Sequence, residues 1–112
     1  MSETIDAEEA RRLIGSGEAK PVDVRDEEDF EDARIPGSLF RGEGERSLDL
    51  SDVPEDMKLI LIGPEDRTSA AIDELNEAGR DDVVVLAGGV DAWRKEDFAT
   101  EPSEDPDDDA VV

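Results

Sequence analysis

The 112-residue chain contains no cysteine and no histidine. The first absence excludes disulfides, thiolate metal sites and every mechanism with a cysteine nucleophile. The second removes the commonest general base and the commonest zinc ligand. Carboxylate, Lys, Arg and hydroxyl groups remain for acid–base work, and only the carboxylates are abundant. Aromatic residues are scarce as well: Trp93, Phe30, Phe40 and Phe98 are the whole set, so the core is expected to be small and aliphatic with few large anchors. No apolar run approaches the roughly 20 residues of a membrane span, and no charged-then-apolar leader is visible. The expectation is a cytoplasmic protein without membrane contact.

Positive charge is the other shortage. Twelve Lys and Arg stand against 34 Asp and Glu, a formal net charge of -22. Nothing forms a basic stripe that could displace counterions from phosphates, which disfavours nucleic acid as a partner. The acids are dispersed through the sequence as well as concentrated at its end, and only Lys20, Lys58 and Lys95 are lysines. Dispersed carboxylate that holds water and hydrated cations at the surface suits a halophilic cytoplasm, where salt relieves the self-repulsion.

The length suits one domain, expected over residues 1–98, with 99–112 as an acidic disordered tail. Asp6 is placed to cap a helix running to Ile14, with Glu9 completing a capping box. Pro21 to Val24 reads as a buried strand, Asp26 as the cap of a brief helix from Glu27 to about Asp32, and Leu39–Phe40 as a short strand. An irregular stretch with Leu48, Leu50 and Val53 leads to a strand over Lys58 to Ile62. A helix follows over Thr68 to Ala78, in which Ala71, Ile72, Leu75 and Ala78 share a face and Gly79 supplies a left-handed cap. Val83 to Leu86 is a further strand, and Gly88–Gly89 opens a last helix with Trp93 on its inner side. Strands alternating with helices give a three-layer α/β/α fold with a central parallel sheet. The loops after Val24, Ile62 and Leu86 then meet at the carboxyl ends of the strands, where such folds bind ligands.

Four segments carry a family likeness in order. Asp23-Val24-Arg25 is followed by Asp29-Phe30; Ala33-Arg34-Ile35-Pro36-Gly37-Ser38 comes next; Ile62-Gly63-Pro64-Glu65-Asp66-Arg67-Thr68 joins a strand to a helix; Leu86-Ala87-Gly88-Gly89 with Trp93 closes the set. Together they resemble the rhodanese-like domain family of sulfurtransferases, over nearly everything from Ile5 to Phe98. The resemblance implies an active-site loop of Cys, four residues, Arg, then Ser or Thr, whose thiolate carries sulfur as a persulfide. Arg67 and Thr68 match at that spacing, which also fits the sulfurtransferases better than the related phosphatases, whose loop is one residue longer. Ile62 stands at the nucleophile position, and Arg34 stands where the family usually has His.

An alkyl side chain can neither accept sulfur nor be activated as a thiolate. Pro64 removes one N–H donor from the loop, and Glu65 with Asp66 put negative charge where an anionic sulfur donor approaches. Arg67 is expected to act as an internal tether to Glu65, Asp66 or Asp23, and Arg25 to pair with Asp29 or another nearby acid; Arg34 is taken as a similar tether. The reading that follows is a rhodanese-like domain without the catalytic Cys, leaning away from enzyme activity and serving as a binding or regulatory module for an unidentified protein partner. It needs no cofactor and no metal. The alternatives are an enzyme of different chemistry, with a cation held by Asp23, Asp26, Glu65 and Asp66 at the strand ends, or a residual sulfurtransferase-related role.

Overall fold

The computed structural model describes residues 3–41, 53–98 and 100–101. The elements run β1 (Thr4–Ile5), α1 (Ala7–Gly15), β2 (Ala19–Asp23), α2 (Glu27–Asp32), β3 (Leu39–Phe40), β4 (Lys58–Ile62), α3 (Glu65–Glu77), β5 (Val83–Leu86) and α4 (Gly89–Lys95). The strands form one sheet in the order β1-β5-β4-β2-β3, and each of its pairings is parallel.

The central strand sets the layers. Lys58–Ile62 is an unbroken apolar run after its first residue, the pattern of a strand buried on both faces, and Leu59, Ile60, Leu61 and Ile62 are all fully buried. Side chains alternate across a strand. Ile60 and Ile62 therefore join Ala7, Ala10 and Leu13 of α1 and Val90 and Trp93 of α4, whereas Leu59 and Leu61 join Ala71 and Leu75 of α3 on the other face. Burying each such Ile or Leu is worth about 1.5–3 kcal/mol, so this strand anchors both layers.

Most elements fall where the sequence places them, and the departures have local causes. Asp6 caps α1 by accepting from the Glu9 N–H at 2.8 Å, but Glu9 does not complete a capping box. Its carboxylate turns along the helix to take a two-pronged contact from Arg12, at 2.9 Å on each oxygen, and a charge-assisted pair outcompetes a neutral N–H. β1 has no counterpart in the sequence expectation. Two residues are too few for a periodic signal, and Thr4–Ile5 becomes a strand by pairing with Val85 and Leu86 at the sheet edge. Ala78 is exposed rather than on the inner face, because α3 stops at Glu77 and the chain turns through Gly79 at φ 88°.

Leu48 and Leu50 lie outside the described residues, but Val53 is buried. Arg80 holds this return of the chain. It is 8% exposed, and its guanidinium donates to the carbonyls of Val53, at 2.8 Å, and Pro54. On the same side, Arg41 grips Glu74 of α3 with two bonds of 2.9 Å; that hydrogen bonding, reinforced in each case by the partner's opposite charge, lowers the Glu74 pKa and raises that of Arg41. No helix among the described residues is long and apolar enough to cross a membrane.

Beyond Phe98 the chain returns to the domain. Glu101 forms an antiparallel bridge with Arg34, so the segment expected as tail is held at least at that residue. Residues 102–112 lie outside the described residues.

Candidate functional site

Parallel strands end together, and here β2, β4 and β5 open onto one cleft of about 830 Å³. One wall comes from Arg25, Asp29, Gly63, Pro64, Glu65 and Thr68, the other from residues 85–91. This is the mouth expected from the topology.

The strand-to-helix connection is shorter than the sequence suggests. β4 ends at Ile62, and α3 begins at Glu65 rather than Thr68, leaving Gly63 and Pro64 as the whole turn. Pro64 sits at the N-cap with φ −68°, a torsion its ring imposes, and Glu65 and Asp66 follow in the first turn, where the helix dipole favours acids. The N–H groups of Arg67 and Thr68 both donate to the Pro64 carbonyl, at 3.0 and 2.9 Å. The family's loop would present several N–H groups to an anion; here two are spent inside the helix and Pro64 has none.

Gly63 is needed for space. A Cβ on it would lie 2.7 Å from Cγ2 of Val24, so β2 and the turn pack backbone against side chain at this corner. Ile62 precedes it with no exposed surface and belongs to the core cluster with Leu86, Val90 and Trp93. It is not among the cleft-lining residues. The Ile62 side chain, which the resemblance alone sets at a nucleophile position, thus faces the hydrophobic layer beneath α1 and α4.

Each basic residue near the mouth is bound to an acid. Asp23 is fully buried; its carboxylate accepts the Arg25 backbone N–H at 2.9 Å and the Arg25 guanidinium at 2.7 to 3.0 Å. Arg25 also donates to the Ala33 carbonyl at 2.7 Å. Its partner is Asp23 rather than Asp29, because Asp23 lies two residues back at the strand end and satisfies backbone and side chain together. Arg67 pairs with Asp26 at 2.7 Å instead of Glu65, Asp66 or Asp23. Glu65 and Asp66 are two and one positions away on the same helix and do not face it, while Asp23 is already engaged. Asp26 consequently makes no side-chain cap for α2. Thr68 is buried and its hydroxyl donates to the Glu65 carbonyl at 3.1 Å. Arg34 lies 3.9 Å from Glu101, donates to the Phe30 carbonyl at 3.2 Å and stacks over the Phe30 ring at 4.8 Å.

The four carboxylates weighed as a cation site are therefore not brought together as one: Asp23 and Asp26 each hold an arginine, and among the described residues no group of three or more acids could hold a metal ion. The lining acids are Asp29, Glu65 and Asp91. Asp91 is not among the candidate site residues of the sequence; its place two residues after the Gly88–Gly89 turn is the signal that points to it. With Arg25 neutralised by Asp23, the cleft carries an excess of negative charge.

Comparison with known proteins places this geometry. The family model described as "Rhodanese-like domain" matches residues 6–96. A crystal structure of a protein from Bacillus halodurans is similar at a TM-score of 0.72 with 25% identity, covering 89% of this chain and 77% of that one. The solution structure of a rhodanese-like domain from Anabaena is similar at 0.69 with 27% identity, covering 90% and 80%. A Rhodopseudomonas palustris protein described as of unknown function and a possible tyrosine phosphatase is similar at 0.70 with 26% identity, covering 89% and 85%.

Proposed function

This chain belongs to the rhodanese-like domain family, and we propose that it serves there as a non-catalytic binding or regulatory module. Without any cysteine it is not a sulfurtransferase of the classical kind. The observation that carries the reading further is the burial of Ile62 in the core, which supports a difference of more than one atom between this site and a working one. The two-residue turn, the missing Pro64 N–H and the carboxylates of Asp29, Glu65 and Asp91 around the mouth all oppose an anionic sulfur donor. They favour a role in which the cleft and its rim are recognised by a protein partner. The dispersed acidity and net charge of -22 support placing the module in a halophilic cytoplasm.

The test is a thiosulfate and cyanide assay in molar salt, with intact-mass analysis after thiosulfate. The wild type is expected to give no thiocyanate above the blank and no sulfur adduct; either signal would end the non-catalytic reading. Ile62→Cys separates a lost nucleophile from a remodelled site. Its thiol would point into the apolar layer, where burial raises a thiol pKa and suppresses thiolate. It is expected to remain inactive and to lose about 1–3 kcal/mol of stability through the smaller side chain. Sulfur uptake by Ile62→Cys would show that the cradle is intact and that only the nucleophile was lost.

A further inference from the structure

α2 is held differently from the other helices. α1 and α3 each bury three residues and α4 buries two, whereas α2 buries none, and among the described residues neither core cluster includes one of its side chains. Its own sequence does little to keep it helical. Five of its six residues are acids, with no basic residue in the last turn, so Glu31 and Asp32 oppose the helix dipole, and the pairs Glu27–Glu31 and Glu28–Asp32 set like charges one turn apart. Asp26, at the N-cap, gives it no side-chain hydrogen bond. A helix of this length is also well short of the roughly 12–15 residues that persist alone in water.

The two ends of this segment, by contrast, are fixed. Val24 and Ala33 are buried, and the Arg25 guanidinium, seated on Asp23, donates to the Ala33 carbonyl at 2.7 Å. Residues 26–32 therefore leave the domain and return to it through a closed neck. Two contacts latch the outer part to the body. Asp26 meets Arg67 of α3 at 2.7 Å, and the Phe30 ring lies 4.6 Å from that of Phe40 in β3, with the Arg34 guanidinium 4.8 Å from it. Asp26 is exposed and both rings are half-buried, so each latch holds less than a core contact does.

We infer that residues 26–32 are a lid on the cleft, which opens as one unit about the Arg25–Ala33 neck and is latched by Asp26–Arg67 and Phe30–Phe40. The link to the cleft is direct: Asp29 of this segment is part of the wall, together with Arg25, Gly63 and Glu65. Opening carries Asp29 off the wall, widens the mouth on that side and removes one of its lining carboxylates. It breaks no core contact and leaves Arg25 on Asp23. Segments with few buried apolar contacts are where local opening costs least, and in this fold such a segment bounds the cavity. The lid acts whatever the cleft binds, so it does not rest on the function proposed above.

The first test is amide hydrogen exchange by NMR on the full chain in 1 M NaCl with increasing urea. The Phe30 N–H donates to the Asp26 carbonyl and the Ala33 N–H to the Asp29 carbonyl, whereas the Val24 N–H donates to the Ile62 carbonyl just outside the neck. Phe30 and Ala33 are expected to share one protection factor, at least about 100-fold below that of Val24 and nearly independent of urea at concentrations that lower Val24 protection. Arg67→Met is expected to raise both rates by a common factor of about two to five, and Phe40→Leu by a common factor of about two to ten; the factors should multiply in the double variant. Val24 protection shows that each variant is folded. The second test measures the mouth itself. Asp29→Cys and Asp91→Cys place two spin labels on opposite walls of a chain with no other cysteine. One distance is expected in the otherwise unchanged chain, and a second, longer population when Arg67→Met and Phe40→Leu are added. Protection of Phe30 and Ala33 equal to that of Val24, a latch variant that speeds one of these amides and not the other, or an unchanged label distance in the unlatched chain would each overturn the lid.

Discussion

Asp23→Ala is expected to cost about 3–5 kcal/mol of folding free energy, the range for breaking a buried ion pair by removing one partner. Asp23 is fully buried, and the Arg25 side chain is only 16% exposed. Alanine would leave a guanidinium and a backbone N–H without their acceptor, in a place where water reaches poorly. The position is also a junction of the sheet: Asp23 is in register with Ile62 of β4 and Phe40 of β3, and its carbonyl accepts the Arg41 N–H at 2.8 Å. Asp23→Asn, which keeps an acceptor for the Arg25 N–H but removes the charge, should recover part of the loss. Denaturant melts in 2 M salt, on the expected plateau of wild-type stability, measure both. A loss below about 1 kcal/mol for Asp23→Ala would mean that Arg25 re-pairs freely with Asp29 or Asp26, and that the buried pair does not hold the cleft wall.

This pair explains why the fold was more legible in the sequence than the site. Lys58–Ile62 and Val83–Leu86 are apolar runs with turn signals at both ends, and each forms a strand with the bounds the pattern gives. Their burial on two faces leaves no competing register. Gly79 and Gly88, both at positive φ, likewise mark their turns through a backbone demand that shows in one residue. Charge partners have no such signature. In a chain with 34 acids, every arginine has several candidates nearby in sequence, and the choice is made by strand ends and helix faces. Arg67 reaches Asp26 because α3 and the β2–α2 connection meet at the mouth, a tertiary fact. The early start of α3 was missed for a related reason. The family spacing made Glu65 and Asp66 look like loop, whereas two acids directly after a Pro that ends the strand suit the first turn of a helix. The motif concealed a remodelled turn that local helix chemistry alone could have suggested.

Unfolding free energy is expected to rise by several kcal/mol between 0.05 and 1 M NaCl and then to flatten. Two like charges about 10 Å apart in water repel by roughly 0.4 kcal/mol, and folding brings many such pairs within that distance in a chain of net charge -22. Among the described residues the salt-labile attractions set against this are exposed: Lys58 with Asp82 and Arg41 with Glu74 each have a carboxylate partner that is 44% exposed or more, and such pairs are each worth about 0–1 kcal/mol. Repulsion therefore dominates, and screening stabilises. The sum is comparable with the whole stability of a small domain, about 5–15 kcal/mol, so the chain is expected to be marginal in dilute buffer and firmly folded at molar salt. The shape of the curve identifies the cause. Screening is nearly complete once the Debye length reaches about 3 Å at 1 M, whereas stabilisation by ions excluded from apolar surface keeps growing with concentration and is stronger for sulfate than for chloride. Equilibrium melts in NaCl and in sodium sulfate, matched for ionic strength, distinguish them. Coincident curves that saturate near 1 M assign the effect to the carboxylates; a stability that is flat from 0.05 M upward would remove both the halophilic reading and its electrostatic basis.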